Sequence, residues 1–187
     1  MADSIPNDAA AVRLPRHAPT IIFLHWLTAL LVVLLWGIGQ TIDLVPRGPW
    51  RVDYRSLHIV LGVVLGLVLV VRLIWRATRG GLLPTLDHGI RLIAAHAIHW
   101  VLYALLAATI AVGIAYAWAR GEALFNVIPI PSFAPDDRAL RRAIGGYHEV
   151  AANAVLILAG LHALAALAHH HLLGDATLRR MLPWNSR

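Results

Sequence analysis

The sequence predicts an all-α integral membrane protein. It is expected to be a four-helix bundle with both termini cytoplasmic, forming a single membrane domain over residues 1–187. Three observations lead there. The chain is 59% hydrophobic and only 14% charged, with a mean hydropathy of +0.67, a balance that excludes disorder and does not suit a soluble domain. Asp, Glu, Lys and Arg are absent from residues 17–42, 56–71, 92–119 and 150–174, and a helix needs roughly 20 mostly apolar residues to cross a bilayer. The second window is shorter, but Arg55, Arg72 and Arg76 can reach the interface from its flanks. Finally, every basic residue is arginine. With both termini on one side, that side carries Arg13, Arg16, Arg72, Arg76, Arg79, Arg91, Arg179, Arg180 and Arg187, against seven arginines on the other. The bias places the termini in the cytoplasm, and topology explains the net charge of +6 without nucleic acid.

The elements follow in order. Residues 1–18 form a polar arm, and the apolar run after them is too long for a signal-peptide core, so the first span is expected to stay. The spans cover about 20–40, 56–76, 93–118 and 147–172. An outer loop, TIDLVPRGPWRVDYR, joins the first two, and the inner loop ATRGGLLPTLDHGIR is rich in turn formers. In the longest connection, Pro129, Pro131 and Pro135 favour extended chain. Asp136 is then expected to cap a short amphipathic helix, DDRALRRAI, stopped by Gly145 and Gly146 and lying on the outer membrane surface. A polar tail ends the chain. The seven tryptophans mostly fall near span ends, as interfacial tryptophans do.

With no cysteine, and methionine only at positions 1 and 181, thiolate metal sites, iron–sulfur clusters, disulfides and covalent haem are excluded. A metal centre inside the membrane must rely on histidine. Seven of the eleven histidines, His25, His58, His96, His99, His148, His162 and His169, lie on or at the ends of spans. A lone histidine there is often only an interhelical hydrogen-bond partner, but seven almost without intramembrane carboxylates point to function. His148, His162 and His169 are 14 and 7 residues apart, nearly whole helical turns, and share one face. His162 lies about 21 Å inward of His148 at 1.5 Å per residue. Depth therefore pairs His58 with His148 near the outer surface and His25 with His162 near the inner one.

Two imidazoles from different helices, one on each side of a flat ring, make the bis-histidine ligation of a b-type haem. Small residues leave room for it: the stripe 148, 152, 155, 159, 162, 166, 169 reads His, Ala, Val, Ala, His, Ala, His. Gly62 and Gly66 follow His58, and Ala29 follows His25. Small residues also let membrane helices approach closely. His96 and His99 stay open as alternative inner ligands. The triple histidine 169–171 suits a solvated cap, but His169 continues the buried stripe, where it could hydrogen-bond a quinone oxygen or relay its proton.

The segments IIFLHWLTALLVVLLW, YRSLHIVLGVVLGLVLVVRLIWR, AAHAIHWVLYALL and YHEVAANAVLILAGLHALAALAHHHLLGDATLRRMLP resemble the bacterial cytochrome b561 family over about residues 15–183. The resemblance implies two non-covalent b haems, with His25 and His162 holding the inner one and His58 and His148 the outer. It further implies a superoxide oxidase of the bacterial inner membrane, passing electrons from periplasmic superoxide through both haems to ubiquinone near the cytoplasmic face. His169 is then the candidate catalytic residue of the quinone site. Arg47, Arg51, Arg55, Arg138, Arg141 and Arg142 are candidates for attracting the anion, or for binding lipid headgroups. The alternative is a haem-bearing anchor subunit of a larger dehydrogenase or hydrogenase, fed by a redox protein partner. A histidine-based metal transporter is a more distant rival.

Overall fold

The structure, a computed structural model, describes residues 17–78, 89–121, 123–175 and 177–183, leaving out the side chains of residues 90 and 91. The arm before His17, the inner loop across 79–88 and Trp184 lie outside the described residues. Four helices, each long and apolar enough to cross a membrane, dominate the fold: α1 (Pro19–Thr41), α2 (Pro49–Thr78), α3 (Ile90–Arg120) and α4 (Arg138–His171). Helix α1 opens with a proline in its first turn, where the missing N–H costs nothing. Helix α3 stops at Gly121, whose φ of +68° is the left-handed cap that glycine adopts without strain. Its N–H returns to the carbonyls of Ala117 and Trp118.

Helix α1 packs on α2, α3 packs on α4, and α2 meets α3 between them. Leu31, Leu35, Leu65, Leu69, Leu106 and Val155 form the buried core. Val155 stands seven residues from both His148 and His162, so by helical rise this apolar layer lies midway between the two histidine levels. The outside is just as apolar. Phe23, Leu30, Val33, Leu67, Ile74, Ile157 and Leu164 are all exposed, as lipid-facing side chains must be. The chain is an all-α membrane four-helix bundle.

Three features depart from the sequence-based expectation. The amphipathic segment after residue 137 is not a separate surface helix: α4 runs unbroken from Arg138 through Gly145 and Gly146 to His171. Gly145 serves close approach, since a Cβ there would lie 2.8 Å from Cζ of Tyr116 on α3. The cap is Asp137, not Asp136; its Oδ1 accepts from the Leu140 N–H at 2.8 Å. In the long loop, the proline-rich stretch closes a small hairpin of β1 (Ala123–Leu124) and β2 (Ile128–Pro129), paired antiparallel with Leu124 opposite Ile128. Phe125 and Asn126 turn it with φ of 50° and 57°. Its tip docks on the N-terminal end of α2, at the end of the bundle that the arginine bias of the sequence makes the outer one. The Phe125 N–H donates to Ser56 Oγ at 2.8 Å, and the Asn126 amide donates to Asp53 Oδ1 at 2.8 Å.

Candidate cofactor-binding site

The bundle brings the histidines together at two levels. At the outer one, His58 of α2 faces His148 of α4, with ring centroids 6.1 Å apart and planes at 88°. His148 Nδ1 lies 3.0 Å from the Thr109 carbonyl. A carbonyl only accepts, so the ring proton sits on Nδ1 and Nε2 is left with a free lone pair. Gly113, one turn further along α3, makes room for this ring: a Cβ would lie 2.7 Å from His148 Cε1 and 3.0 Å from Nδ1. On the other side Gly39 of α1 backs His58, with its would-be Cβ 3.4 Å from His58 Cε1. The buried Nδ1 of His58 has no well-formed hydrogen bond among the described residues. Trp36 of α1 donates to Asn153 Oδ1 of α4 at 2.8 Å and ties these helices together one turn below His148.

At the inner level, His25 of α1 faces His162 of α4 with centroids 6.4 Å apart and planes at 69°. A third imidazole, His99 of α3, approaches His162 to 5.2 Å. Arg72 turns inward rather than reaching for the interface. Its Nη2 lies 2.8 Å from His25 Nδ1, and its guanidinium lies over the Tyr103 ring at 5.2 Å. Arginine can only donate, so here His25 Nδ1 accepts and the ring proton is on Nε2. His96 makes no comparable approach to another described histidine ring.

The separations discriminate between pairings. With a metal–imidazole bond of about 2.0 Å and about 1.1 Å from nitrogen to ring centre, two imidazoles on opposite sides of one metal ion have centroids about 6.2 Å apart. His58 with His148 and His25 with His162 match this at 6.1 and 6.4 Å. His99 with His162, at 5.2 Å, is too close. The glycine stripe divides as well. Beside Gly62 a Cβ would meet nothing within 4 Å, whereas Gly66 packs against Ile110 at 3.4 Å, which makes Gly66 a helix-contact residue.

At the inner end of α4, His169 Nδ1 lies 2.6 Å from Asp175 Oδ2. Burial works to raise the Asp175 pKa, but hydrogen bonds from Thr177 and the neighbouring His169 outweigh it and hold the carboxyl below its ordinary value. His17, just ahead of α1, is pushed down by burial and then by Arg180 and Arg76. Trp26 donates to the Met181 carbonyl at 2.7 Å, pinning the tail beneath α1.

On the outer surface the six arginines divide between two clefts that share Arg120. One, of about 480 Å³, is lined by Tyr116, Arg120, Arg138, Arg141 and Arg142. The other, of about 320 Å³, is lined by Arg47, Arg51, Arg55 and Arg120 with Asp43. Arg51 is committed to structure: it donates to the Val45 carbonyl at 2.6 Å and pairs with Asp43 at 3.5 Å. Sequence reasoning missed Gly113, Arg120, Thr109 and Asp175. Only Gly113 left a signal, as a lone glycine within an apolar helix.

Residues 16–184 match the family model described as prokaryotic cytochrome b561. A protein of Yersinia pestis called probable superoxide oxidase CybB is 35% identical over 166 residues, covering 86% of this chain and 92% of that one. Cytochrome b561 homolog 2 of Escherichia coli K12 is 33% identical over 163 residues, covering 84% and 86%. Cytochrome b562 of Cereibacter sphaeroides is 29% identical over 174 residues, covering 90% and 96%.

Proposed function

Because the chain belongs to the prokaryotic cytochrome b561 family, a family of haem b electron-transfer proteins of the bacterial membrane, we propose that it is a di-haem superoxide:ubiquinone oxidoreductase of the inner membrane. His58 and His148 would hold the outer haem, and His25 and His162 the inner one. The observation that carries this is the pair of cross-helix imidazole separations, 6.1 and 6.4 Å. The glycines that back His58 and His148 fit the same reading. The donor is proposed from the relative named probable superoxide oxidase.

Bound haem supplies reversible one-electron chemistry, and the chain supplies the rest. The Thr109 carbonyl fixes a proton on His148 Nδ1 and leaves Nε2 available. The leucine layer around Val155 excludes water between the two levels. The outer clefts, rich in arginine, raise the local concentration of a small anion. In balance, two superoxide ions become two dioxygen molecules, and one ubiquinone takes up the two electrons and two protons. His169 is the proton-handling residue of the inner face, and the arginine bias of the sequence favours both termini on that cytoplasmic side.

The test is an optical spectrum of the purified protein in detergent, mixed with a superoxide-generating system. Reduced b-haem bands that appear with superoxide and disappear on adding ubiquinone are expected. Bands that respond to dithionite but not to superoxide would transfer the protein to the anchor-subunit class.

A further inference from the structure

The end of α4 is built to return the chain onto its last turn. Gly174 takes a φ of +67°, a left-handed conformation that glycine adopts without strain, and the chain doubles back there. The Asp175 N–H then meets the His169 carbonyl at 3.2 Å, and the Asp175 side chain comes to lie beside the His169 ring. Both carboxylate oxygens are engaged: Oδ2 by His169 Nδ1 at 2.6 Å and Oδ1 by the Thr177 N–H at 2.9 Å. An ionised carboxylate only accepts, so His169 carries a proton on Nδ1 and turns Nε2 away from the pair. His169 and Asp175 are 28% and 24% exposed, open enough for exchange with the inner aqueous phase. The tail beyond is anchored, with Arg180 buried and the Met181 carbonyl bonded to Trp26, the neighbour of His25. His170 and His171 meet edge to face, with ring centroids 4.8 Å apart.

We propose that Asp175 is the positioning residue of an imidazole–carboxylate pair that delivers protons to a quinone bound at the inner end of the bundle. This rests on the reading of His169 as the quinone-site residue. Protonated His169 gives its Nε2 proton to the carbonyl oxygen of a quinone that has received an electron through the protein. The ring is left neutral, its Nδ1–H still held by Asp175. Nε2 takes a fresh proton from water at the inner face, and a second electron and second proton complete the hydroquinone. Asp175 stabilises the charged imidazole and fixes which nitrogen does the work, the role that a carboxylate plays behind a catalytic histidine.

The test uses the full chain, haem-loaded and reduced with dithionite, mixed anaerobically with a short-chain ubiquinone over a range of concentrations. Haem reoxidation then yields a limiting rate and a half-saturating concentration. Asp175→Asn is expected to lower the limiting rate about 10–100-fold, leaving the half-saturating concentration and the haem spectrum unchanged. Asp175→Glu should restore most of the rate, and His169→Ala should lose at least as much as Asp175→Asn. A slow His169→Ala beside a wild-type Asp175→Asn overturns the role of Asp175 and leaves the quinone reading standing. A wild-type rate in His169→Ala overturns the quinone reading itself. Equal losses in Asp175→Asn and Asp175→Glu, or a change confined to the half-saturating concentration, reduce Asp175 to a tail contact and overturn the proposal.

Discussion

The two histidine levels are built differently, although each places an α4 histidine opposite one from α1 or α2. The outer pair is organised by neutral groups: a backbone carbonyl behind His148, glycines behind both rings and the Trp36–Asn153 bond below. The inner pair sits among charge and additional imidazole, with Arg72 on His25 and His99 against His162. The outer level has the form of a fixed socket, with the His148 tautomer already suited to coordination through Nε2. The inner one is electrostatically active, and in it Arg72 holds the His25 proton on Nε2 itself. Coordination there requires that proton to move and Arg72 to find another partner. The same two-histidine arrangement thus recurs at two levels of the bundle with different surroundings.

The comparison breaks most sharply under ligand removal. His148→Ala is expected to take haem content from two to one per chain and to remove the outer haem, whereas His162→Ala removes the inner one. Haem-to-protein ratios and reduced spectra of the two variants decide this, and full haem content in either would refute the ligand assignment. Gly113→Ala should act more gently but on one level only. Its methyl group would press on the His148 ring at 2.7 Å, and overpacking of this size costs about 1–3 kcal/mol. Outer-haem occupancy should fall while the inner haem stays full, as read by the same spectra. Equal loss of both haems would mean that the glycine serves the bundle as a whole. The smallest effect belongs to Arg72→Gln. Removing a positive charge beside the inner level disfavours the reduced state, so the inner potential should drop on the order of tens of millivolts. The outer potential should hardly move. A redox titration that resolves the two haems measures both, and an unchanged inner potential would show that Arg72 is neutralised in the holoprotein.

Much of this was legible because two periods survive folding. Long apolar windows can only be satisfied by helices in a bilayer, so the four spans stand out from composition alone. Helical rise and turn then place His25, His58, His148 and His162 in depth and on faces. What stayed hidden depends on contact rather than period. Gly145 and Gly146 read as a helix stop by composition, and only the Tyr116 ring against Gly145 shows why glycine belongs inside α4. Arg72 reads as a snorkelling flank residue, and only the approach of His25 and Tyr103 accounts for its turning inward. Asp175 lies six residues beyond His169, outside any helical spacing, and is returned to it by the single left-handed turn at Gly174.

The unbroken course of α4 limits how such a chain can change length. His148, His162 and His169 are marks on one rigid ruler. A single inserted residue between the first two would swing everything after it through about 100° while advancing it only about 1.5 Å. His162 would leave the interior and His169 would lose its place with it. A variant library that adds one residue to α4 between His148 and His162 should therefore yield no protein with both histidine levels intact.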